Sequence, residues 1–453
     1  MLWIPCLAFW GLLTSARANP GAQLHLGTDI MNHEVKRALE ESQILEKMAA
    51  EASNNGPAMK AVKGIKDVKV SDVLEPNITF NFIPGKGVSQ CVSTGMTING
   101  KSFMGGNMEI IIVLNITATY RLVQDERTGL PTFRSEDCEI NLVSVKTNLP
   151  SNMLPNVVNK FLDSTLHKVL PGMLCPAIDT VLVYVNKKWA NLLDPMPVGS
   201  VGTVKYVLSD MTSTASYFQV DFNPEVQQQE GNTIALAEAD KTPQIPESYA
   251  EGSSQLMLST SFLTSQLTLL QKSFDVKIEE KKIGKLPPQT TKTLAKFIPK
   301  VAKAYPKSKP LVTQIKINKP PKVTTMSGKS LLHLHGTLEM FAARRRGKPP
   351  TSLFLLDMHF NMKIQFSLSK NRLKLATSMN SLLSLTRSFS SVGDFSEEKL
   401  KDFFTEYLKA GYVPIVDDLL QIGLPLPNFL DMDYSLAKLD VVEDALVLDL
   451  KHN

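Results

Sequence analysis

Apolar and polar residues alternate over long runs in both halves of the chain, and this alternation limits the fold more than any other feature. It appears between 64 and 120, for example in EIIIVLNITATY, and again in SLFLLDMHFNMKIQFSL of the second half. A two-residue period rich in Val, Ile and Thr predicts antiparallel strands that bury one face. We therefore predict large antiparallel sheets in both halves.

Helical spacing of apolar residues flanks these runs. It predicts an amphipathic helix over 28–51 and a second helix over 152–172, which a Pro-Gly pair stops or kinks. In the second half it predicts a short helix near 259–272, another over 290–305, and a late helical segment, SEEKLKDFFTEYLKAGYVPIVDDLL. The two halves therefore share one α+β pattern, in which antiparallel strands lead into a late helix.

Composition divides the chain into four parts. Residues 1–18 hold an apolar stretch followed by an Ala-x-Ala pattern, the layout of a cleavable secretory signal. The rest is too long for one ordinary core and predicts two domains. Residues 223–252 are polar and acidic and contain three Pro, which predicts an exposed linker between domains at 19–222 and 253–453.

Several features predict an oxidising compartment. Without the signal, Cys91, Cys138 and Cys175 remain, an odd number that allows one disulfide and one free thiol. Asn77 and Asn115 each begin an N-glycosylation sequon. No later run reaches the roughly 18 continuous apolar residues that a membrane helix needs. The sequence therefore predicts a protein that is secreted or held in the secretory lumen, including the endoplasmic reticulum, with no transmembrane segment after signal cleavage.

Positive charge is concentrated in the C-terminal half. Residues 19–200 carry 17 basic and 18 acidic side chains, whereas 251–453 carry 29 basic and 19 acidic ones. Residues 281–338 hold thirteen Lys and no Asp or Glu, which indicates either an anionic partner such as a phospholipid surface or simply a solvated face. We expect no nucleic-acid partner.

On one straight helix, five lysines would share an arc of about 80° and attract anionic head groups: Lys292, Lys296, Lys300, Lys303 and Lys307.

The segment GMTINGKS, which begins at Gly95, satisfies the spacing of a phosphate-binding loop. Such a loop requires a strand before it and a helix after it, whereas Gly pairs and another β run follow here. Asn99-Gly100 between strands instead predicts a two-residue hairpin turn. We therefore reject nucleotide binding.

Three histidines form a conceivable zinc site. His333 and His335 would share one face of a strand, and His359 could come from the neighbouring strand. No Cys or carboxylate cluster completes the site, so packed or surface histidines are the favoured interpretation. The patterns GxSxG, HExxH and CxxC do not occur in the sequence. We expect no enzyme activity, no metal and no cofactor.

Several segments together resemble the bactericidal/permeability-increasing (BPI), lipopolysaccharide-binding and lipid-transfer family. They are NPGAQLHLG, two cysteines near the change from strand to helix, the Pro-rich linker, and SLFLLDMHF, NRLKLA and GLPLPNF. The resemblance implies a two-domain boomerang, in which each domain is a twisted antiparallel β-barrel with long helices. A central sheet and the linker would join the barrels. A disulfide would link Cys138 to Cys175, leaving Cys91 free.

The resemblance also implies one apolar pocket per barrel that holds phospholipid acyl chains. The predicted function is non-enzymatic phospholipid binding, with the basic C-terminal domain favouring anionic membranes. The alternative is an innate-defence protein that binds bacterial lipopolysaccharide. Against it, the bactericidal family member carries its basic charge in the N-terminal half, which is nearly neutral here. The candidate pocket residues are Leu39, Leu154, Val158, Phe161, Leu162, Phe297, Ile298, Val301, Phe403 and Leu408.

Overall fold

A computed structural model gives the structure of the chain. It describes residues 20–42, 65–102, 106–148, 155–236, 243, 245–246, 249–250, 252–279, 288–343, 349–430 and 432–450. Four antiparallel sheets and seven α-helices make up most of this part. The predicted signal at 1–18 lies outside the described residues.

The N-terminal half is built on a five-stranded antiparallel sheet. Its strands are β2 (Ile65–Val73), β3 (Asn77–Ile83), β4 (Gly87–Ser102), β5 (Asn107–Gln124) and β6 (Pro131–Thr147). They pair in the order β2-β4-β5-β6, and β3 also pairs with β4. Two helices cover the sheet. Helix α2 (Pro155–Trp189) packs on β6, and helix α1 (Thr28–Ser42) packs on α2 and β3.

Burial alternates along β5 as the sequence pattern predicts. Ile110 and Ile112 are buried, while the residues between and beside them are more exposed. A one-residue slip would turn this apolar set to solvent, so the pattern specifies the register. Helix α2 presents Leu166, Leu170 and Leu174 to this face at a spacing of four residues, and they join the same buried cluster.

A six-stranded antiparallel sheet joins the two halves. Its strands are β1 (Ala22–Leu26), β9 (Leu208–Ser213), β10 (Phe218–Phe222), β13 (Ser254–Ser259), β21 (Lys438–Val442) and β22 (Ala445–Leu450). Their order is β21-β22-β13-β1-β10-β9, so β1 lies between β10 and β13. The central sheet that the resemblance implies is therefore present, and backbone hydrogen bonds connect the halves through it.

Part of the predicted linker is folded. A four-stranded sheet contains β7 (Met196–Val198), β8 (Gly202–Lys205), β11 (Glu225–Gln228) and β12 (Thr233–Ile234). The last two strands lie within 223–252, and Val226 pairs with Val204 in the core. Most side chains of this segment are exposed, as the linker prediction expects, but Val226 is buried and anchors a short strand among polar neighbours. The domain limits at 19–222 and 253–453 stay predictions.

The C-terminal half is built on a seven-stranded antiparallel sheet. Its strands are β14 (Val276–Ile278), β15 (Leu311–Ile317), β16 (Lys322–Met326), β17 (Lys329–Ala342), β18 (Thr351–Ser369), β19 (Arg372–Ser390) and β20 (Leu424–Pro425). They pair in the order β14-β15-β17-β18-β19-β20, and β16 also pairs with β17. The helices of this half are α3 (Thr260–Leu269), α4 (Thr291–Leu294), α5 (Pro299–Ala304), α6 (Glu398–Tyr407) and α7 (Val413–Leu420). A π-helical turn, Leu408–Tyr412, joins the last two.

The structure thus has an α+β architecture in two halves, with antiparallel sheets throughout. Among the described strands, no pairing links β2 to β6 or β14 to β20, so neither large sheet closes on itself through these hydrogen bonds. The closed barrels of the sequence analysis therefore stay a prediction.

Helix α2 is longer than predicted. Pro171 and Gly172 do not end it, and it continues to Trp189, because its apolar residues stay packed on the sheet. By length and composition, Leu166–Leu192 is apolar enough to cross a membrane, and 27% of its most apolar window is buried. The sequence has no uninterrupted apolar run in this helix, because polar residues are interspersed along it. A membrane-length apolar segment was therefore not predicted here.

Two shorter segments also differ from the sequence prediction. The helix expected over 290–305 is two short helices, since Pro299 lacks an N–H and starts α5. Asn99-Gly100 is not a turn, because β4 continues to Ser102. The continuous strand also means that this motif does not open a helix, which a phosphate-binding loop requires.

Candidate functional site

A cavity that opens to solvent lies in the N-terminal half, and its empty space including that opening is about 1330 Å³. Helix α1 lines it with Ile30, Met31, Val35 and Leu39, which share one face of the helix. Helix α2 also presents one apolar face to it, with Leu174, Ile178, Val181, Leu182 and Val185. The helices therefore form a largely aliphatic wall.

The opposite wall is the buried face of the N-terminal sheet. Side chains of neighbouring strands meet there at a two-residue period: Ile78, Phe80, Val92, Met96, Ile116 and Tyr120. The strand period and the helix period together place apolar atoms on both sides of one space. A largely apolar surface of this kind suits hydrocarbon chains better than polar solutes.

A charged cluster interrupts the apolar wall where α1 meets the end of α2. Glu34 is only 4% exposed, and its Oε2 atom lies 3.4 Å from Arg37 Nη2 and 3.9 Å from Lys188 Nζ. Arg37 also donates a hydrogen bond of 3.2 Å to the carbonyl oxygen of Leu430. A buried carboxylate requires such partners, because removing an ion from water is unfavourable. The cluster links the N-terminal helices to a C-terminal loop.

Two aromatic residues bring polar atoms to the cavity wall. The Tyr120 hydroxyl donates a hydrogen bond of 2.7 Å to Gln90 Oε1, and burial raises the pKa of Tyr120. Trp189 is fully buried, with its ring 5.0 Å from Phe429 and 6.2 Å from Phe133. Its Nε1 atom has no hydrogen-bond partner in the part of the chain that the structure describes. Polar atoms therefore occupy few, defined positions on this wall.

Comparisons with known proteins decide the family. The model of the LBP / BPI / CETP family N-terminal domain matches residues 23–185, and the model of the C-terminal domain matches residues 251–451. The chain belongs to the LBP / BPI / CETP family. It is therefore a BPI-fold member of a lipid-binding, non-enzymatic family, which confirms the sequence resemblance.

Relatives in the LBP / BPI / CETP family match the whole chain. It is 66% identical to BPI fold-containing family B member 6 of Homo sapiens and 63% identical to the Mus musculus protein of that name, with 100% of each chain covered. A crystal structure of lipopolysaccharide binding protein matches with a TM-score of 0.61 and 19% identity, over 96% of this chain and 99% of that one. This likeness shows the two-domain fold.

One of the five predicted pocket residues of the N-terminal half can be placed in the structure. Leu39 lines the cavity. The side chains of four others lie outside the described part: Leu154, Val158, Phe161 and Leu162. The α2 residues that do line the cavity begin at Leu174. The prediction stopped short of them because it followed the helix only as far as the Pro-Gly pair, which it expected to stop or kink the helix.

The predicted pocket residues of the C-terminal half lie elsewhere. Ile298, Val301 and Leu408 are buried, and the ring of Phe297 lies 5.0 Å from that of Phe403. These five belong to, or pack against, the main hydrophobic core and are not among the residues that line the N-terminal cavity. A second lipid pocket around them stays a prediction.

The predicted basic surface is present, but two short helices carry it in place of the single helix that we predicted. Helix α4 ends at Leu294 and α5 begins at Pro299, so the lysines do not share one straight stripe. Buried Leu294 and Val301 hold the segment on the protein, and its lysines face water. All five predicted lysines are exposed: Lys292, Lys296, Lys300, Lys303 and Lys307.

The three histidines do meet on one face of the C-terminal sheet. His335 stacks on His359 with 3.7 Å between ring centroids, and His333 lies 6.3 Å from His359. Among the described residues, no group of three or more His, Cys, Asp or Glu side chains is placed to hold a metal ion. Burial lowers the pKa of both His333 and His335, and the charge of His359 acts in the same direction. His333 and His335 are therefore packed as neutral rings near pH 7.

The disulfide that the resemblance implies is present. Cys138 of β6 and Cys175 of α2 are joined, with their Cα atoms 6.1 Å apart. The bond ties the helix to the sheet next to Leu174 of the cavity wall. Cys91 on β4 is a free, half-buried thiol.

Sequence reasoning missed the polar residues of the cavity wall. Glu34 lies among charged residues of the predicted first helix, where nothing in the sequence indicates that it is buried. Tyr120 ends an apolar run, so its position in the sequence predicts a core residue and not a polar group of a binding site. Trp189 lies beyond the predicted end of the second helix. An apolar helical period continued past Pro171 would have been the signal for Trp189.

Proposed function

We propose that this protein binds phospholipid without chemistry, with the acyl chains in the cavity of the N-terminal half. The observation that carries the proposal is the apolar cavity between the helices and the sheet, which opens to solvent. Each Å² of apolar surface removed from water contributes about 25 cal/mol, so long hydrocarbon chains gain most from such walls. Head groups would stay near the mouth, in contact with water. Barrel-like closure of each sheet around its helices is part of the proposal.

The proposal places the protein in the secretory pathway or outside the cell. The predicted signal at 1–18, the disulfide and the two sequons support this placement. Asn77 of β3 and Asn115 of β5 both pair with Ser93 of β4, so all three share one face of the sheet. That face is opposite to the one that lines the cavity, since Ile116 points inward. Glycans at both sequons would leave the cavity free.

The proposal extends to membrane preference. The five exposed lysines between Lys292 and Lys307 lie in a segment of the chain without acidic residues. A lysine near an anionic bilayer contributes about 1 kcal/mol to binding. The basic C-terminal surface would therefore hold the protein on anionic membranes while the N-terminal cavity binds lipid.

Filling the cavity tests the proposal. Ile178→Trp would add an indole inside it, whereas Val183→Trp would add the same side chain on the outside of α2, where Val183 is 69% exposed. Protein secreted from mammalian cells would be purified, and its co-purifying lipid measured per chain by mass spectrometry. We expect phospholipid on the wild type and on Val183→Trp, and about a tenfold loss on Ile178→Trp, because the added ring occupies the space of the acyl chains.

Each result has a defined meaning. Folded wild-type protein without lipid would overturn the proposal, as would equal lipid on the two variants. Two lipids per chain would support the predicted second pocket in the C-terminal half. A preference for bacterial lipid A over phosphatidylserine or phosphatidate would replace phospholipid binding with lipopolysaccharide recognition.

A further inference from the structure

Trp189 differs from the other polar residues of the cavity wall. Its side chain is fully buried at the end of α2, and its Nε1 atom has no hydrogen-bond partner among the described residues. Its aromatic neighbours, Phe133 and Phe429, offer no acceptor in their side chains. The Tyr120 hydroxyl, on the opposite wall formed by the sheet, is instead paired with Gln90.

A buried N–H without an acceptor is unfavourable, because burial removed its water and nothing replaced it. Most buried donors in folded proteins are paired. Trp189 is one of the residues that line the cavity, so an acceptor atom of a bound ligand would satisfy this donor if the ligand reached Nε1. Its hydrogen bond would be made only when the ligand is bound.

The chemistry of this donor defines the acceptor. An indole N–H is a single neutral donor, so it satisfies one lone pair of a neutral oxygen. A phosphate would need several donors or a cation, and the two cations at this end of α2, Arg37 and Lys188, already pair with buried Glu34. In an acyl lipid, the ester carbonyls lie between the glycerol and the hydrocarbon chains, which makes them the deepest acceptors of the molecule.

We propose that Trp189 Nε1 donates a hydrogen bond to an acyl-ester carbonyl of the bound lipid, and that the cavity therefore favours ester-linked over ether-linked lipid. This inference rests on the proposed lipid binding in the N-terminal cavity. Ether lipids share the chains and the head group of their ester counterparts but lack the carbonyl. The difference in binding between an ester lipid and its ether counterpart therefore measures the contribution of this one hydrogen bond.

Competition between the two lipids is the test. The secreted full-length protein would be incubated with vesicles of equal parts diester and diether phosphatidylcholine of matched chain length, re-isolated, and its lipid analysed by mass spectrometry. We expect a roughly three- to tenfold excess of the diester lipid on the wild type, the range of one net hydrogen bond. Trp189→Phe, which removes the N–H and keeps an aromatic ring, should bind the two lipids about equally.

A matched control removes a buried donor elsewhere. The Tyr412 hydroxyl in the C-terminal half donates to the carbonyl oxygen of Phe274, away from the cavity. Tyr412→Phe should therefore keep the wild-type excess of diester lipid. Loss of the excess in this variant would mean that the preference follows general stability, and it would overturn the assignment to Trp189.

A second measurement keeps the test decisive if Trp189→Phe does not fold. Trp3 and Trp10 lie in the predicted signal, so Trp189 would be the single Trp of the secreted chain. Its indole N–H resonance should move downfield in wild-type protein loaded with diester lipid and should not move with diether lipid. Equal binding of both lipids by the wild type would overturn the inference alone. Binding of neither would overturn the proposed function as well.

Discussion

The two halves of the molecule bury their apolar residues differently, although each packs helices on a large antiparallel sheet. In the N-terminal half, aliphatic residues such as Ile178 and Val181 face the sheet across a cavity. In the C-terminal half, aromatic rings pack on one another, and Phe404 lies 5.1 Å from Phe403 and 6.3 Å from Tyr407. Aliphatic side chains thus line the walls of the cavity, whereas aromatic rings fill this part of the C-terminal core.

The largest expected effect comes from emptying part of the C-terminal core. Phe404 is fully buried, so Phe404→Ala should lower the free energy of unfolding by about 3–5 kcal/mol. Chemical unfolding followed by circular dichroism measures this loss. Phe389→Ala changes the same residue type at a site that is 50% exposed, and should alter stability by less than about 1 kcal/mol. Similar losses in both variants would contradict tight packing around Phe404.

The charge difference between the halves is tested by charge reversal. Changing Lys292, Lys296, Lys300 and Lys303 together to Glu should weaken binding to anionic vesicles by at least about 4 kcal/mol, because the attraction of four lysines is lost and the repulsion of four carboxylates is added. Vesicle co-sedimentation at low and high salt measures it. The control reverses four exposed lysines of the N-terminal half and should bind nearly as wild type: Lys69, Lys86, Lys146 and Lys168. Unchanged binding of the first variant would remove the C-terminal surface from the proposal.

Acid should weaken the central sheet that connects the halves. His25 of β1 is 7% exposed and stacks on Tyr217 at 3.9 Å, and burial lowers its pKa from 6.5 to about 4. The unfolded chain therefore takes up the proton more readily than the folded one. Stability is fully present above pH 6.5 and falls as the pH drops toward 4, by roughly 3 kcal/mol at most.

Urea unfolding between pH 7 and pH 4 measures this dependence. In His25→Gln the slope should be clearly smaller, because the titrating group is gone. The lowered pKa of His333 and His335 adds a loss of the same sign in the C-terminal half. An unchanged slope in His25→Gln would assign the pH dependence to those histidines and not to the central sheet.

The smallest expected effects concern hairpin turns, which the halves build from different residues. Between β18 and β19 the left-handed position is Lys370, with φ 49°, whereas between β5 and β6 it is Gly129, with φ 71°. Lys370→Gly should raise the free energy of unfolding by roughly 0.5–1 kcal/mol, and Gly129→Ala should lower it by about 1 kcal/mol. Thermal unfolding measures both. Shifts of the same sign would show that backbone strain is not what separates these turns.

The long strands could be predicted because their signal is local. Strands β17, β18 and β19 follow the alternation of their own residues, and burial in β17 alternates from Ser330 to Ala342 without a break. A strand that buries one face carries that information in every second residue. The family resemblance predicted the central sheet and the Cys138–Cys175 disulfide, and neither follows from the spacing of residues alone.

The errors arose where packing overrides a local signal. Pro171 usually ends a helix, yet the surrounding Leu170 and Leu174 stay packed on the sheet and α2 continues. Asn99-Gly100 is a strong turn signal, but pairing of β4 with both β2 and β5 keeps it in a strand. Val226 is one apolar residue in a polar segment, and its burial depends on β8, which lies about twenty residues earlier.

The fold class, the alternating strands, the family and the unequal distribution of charge can all be predicted from the sequence, because they depend on neighbouring residues or on composition. The position of the cavity and the polar residues that line it follow from the packing of distant segments. Glu34, Tyr120 and Trp189 come from three distant segments, and their burial exists only after α1, α2 and the sheet have packed. A cavity is space that several elements leave between them, so no single segment of the sequence can encode it.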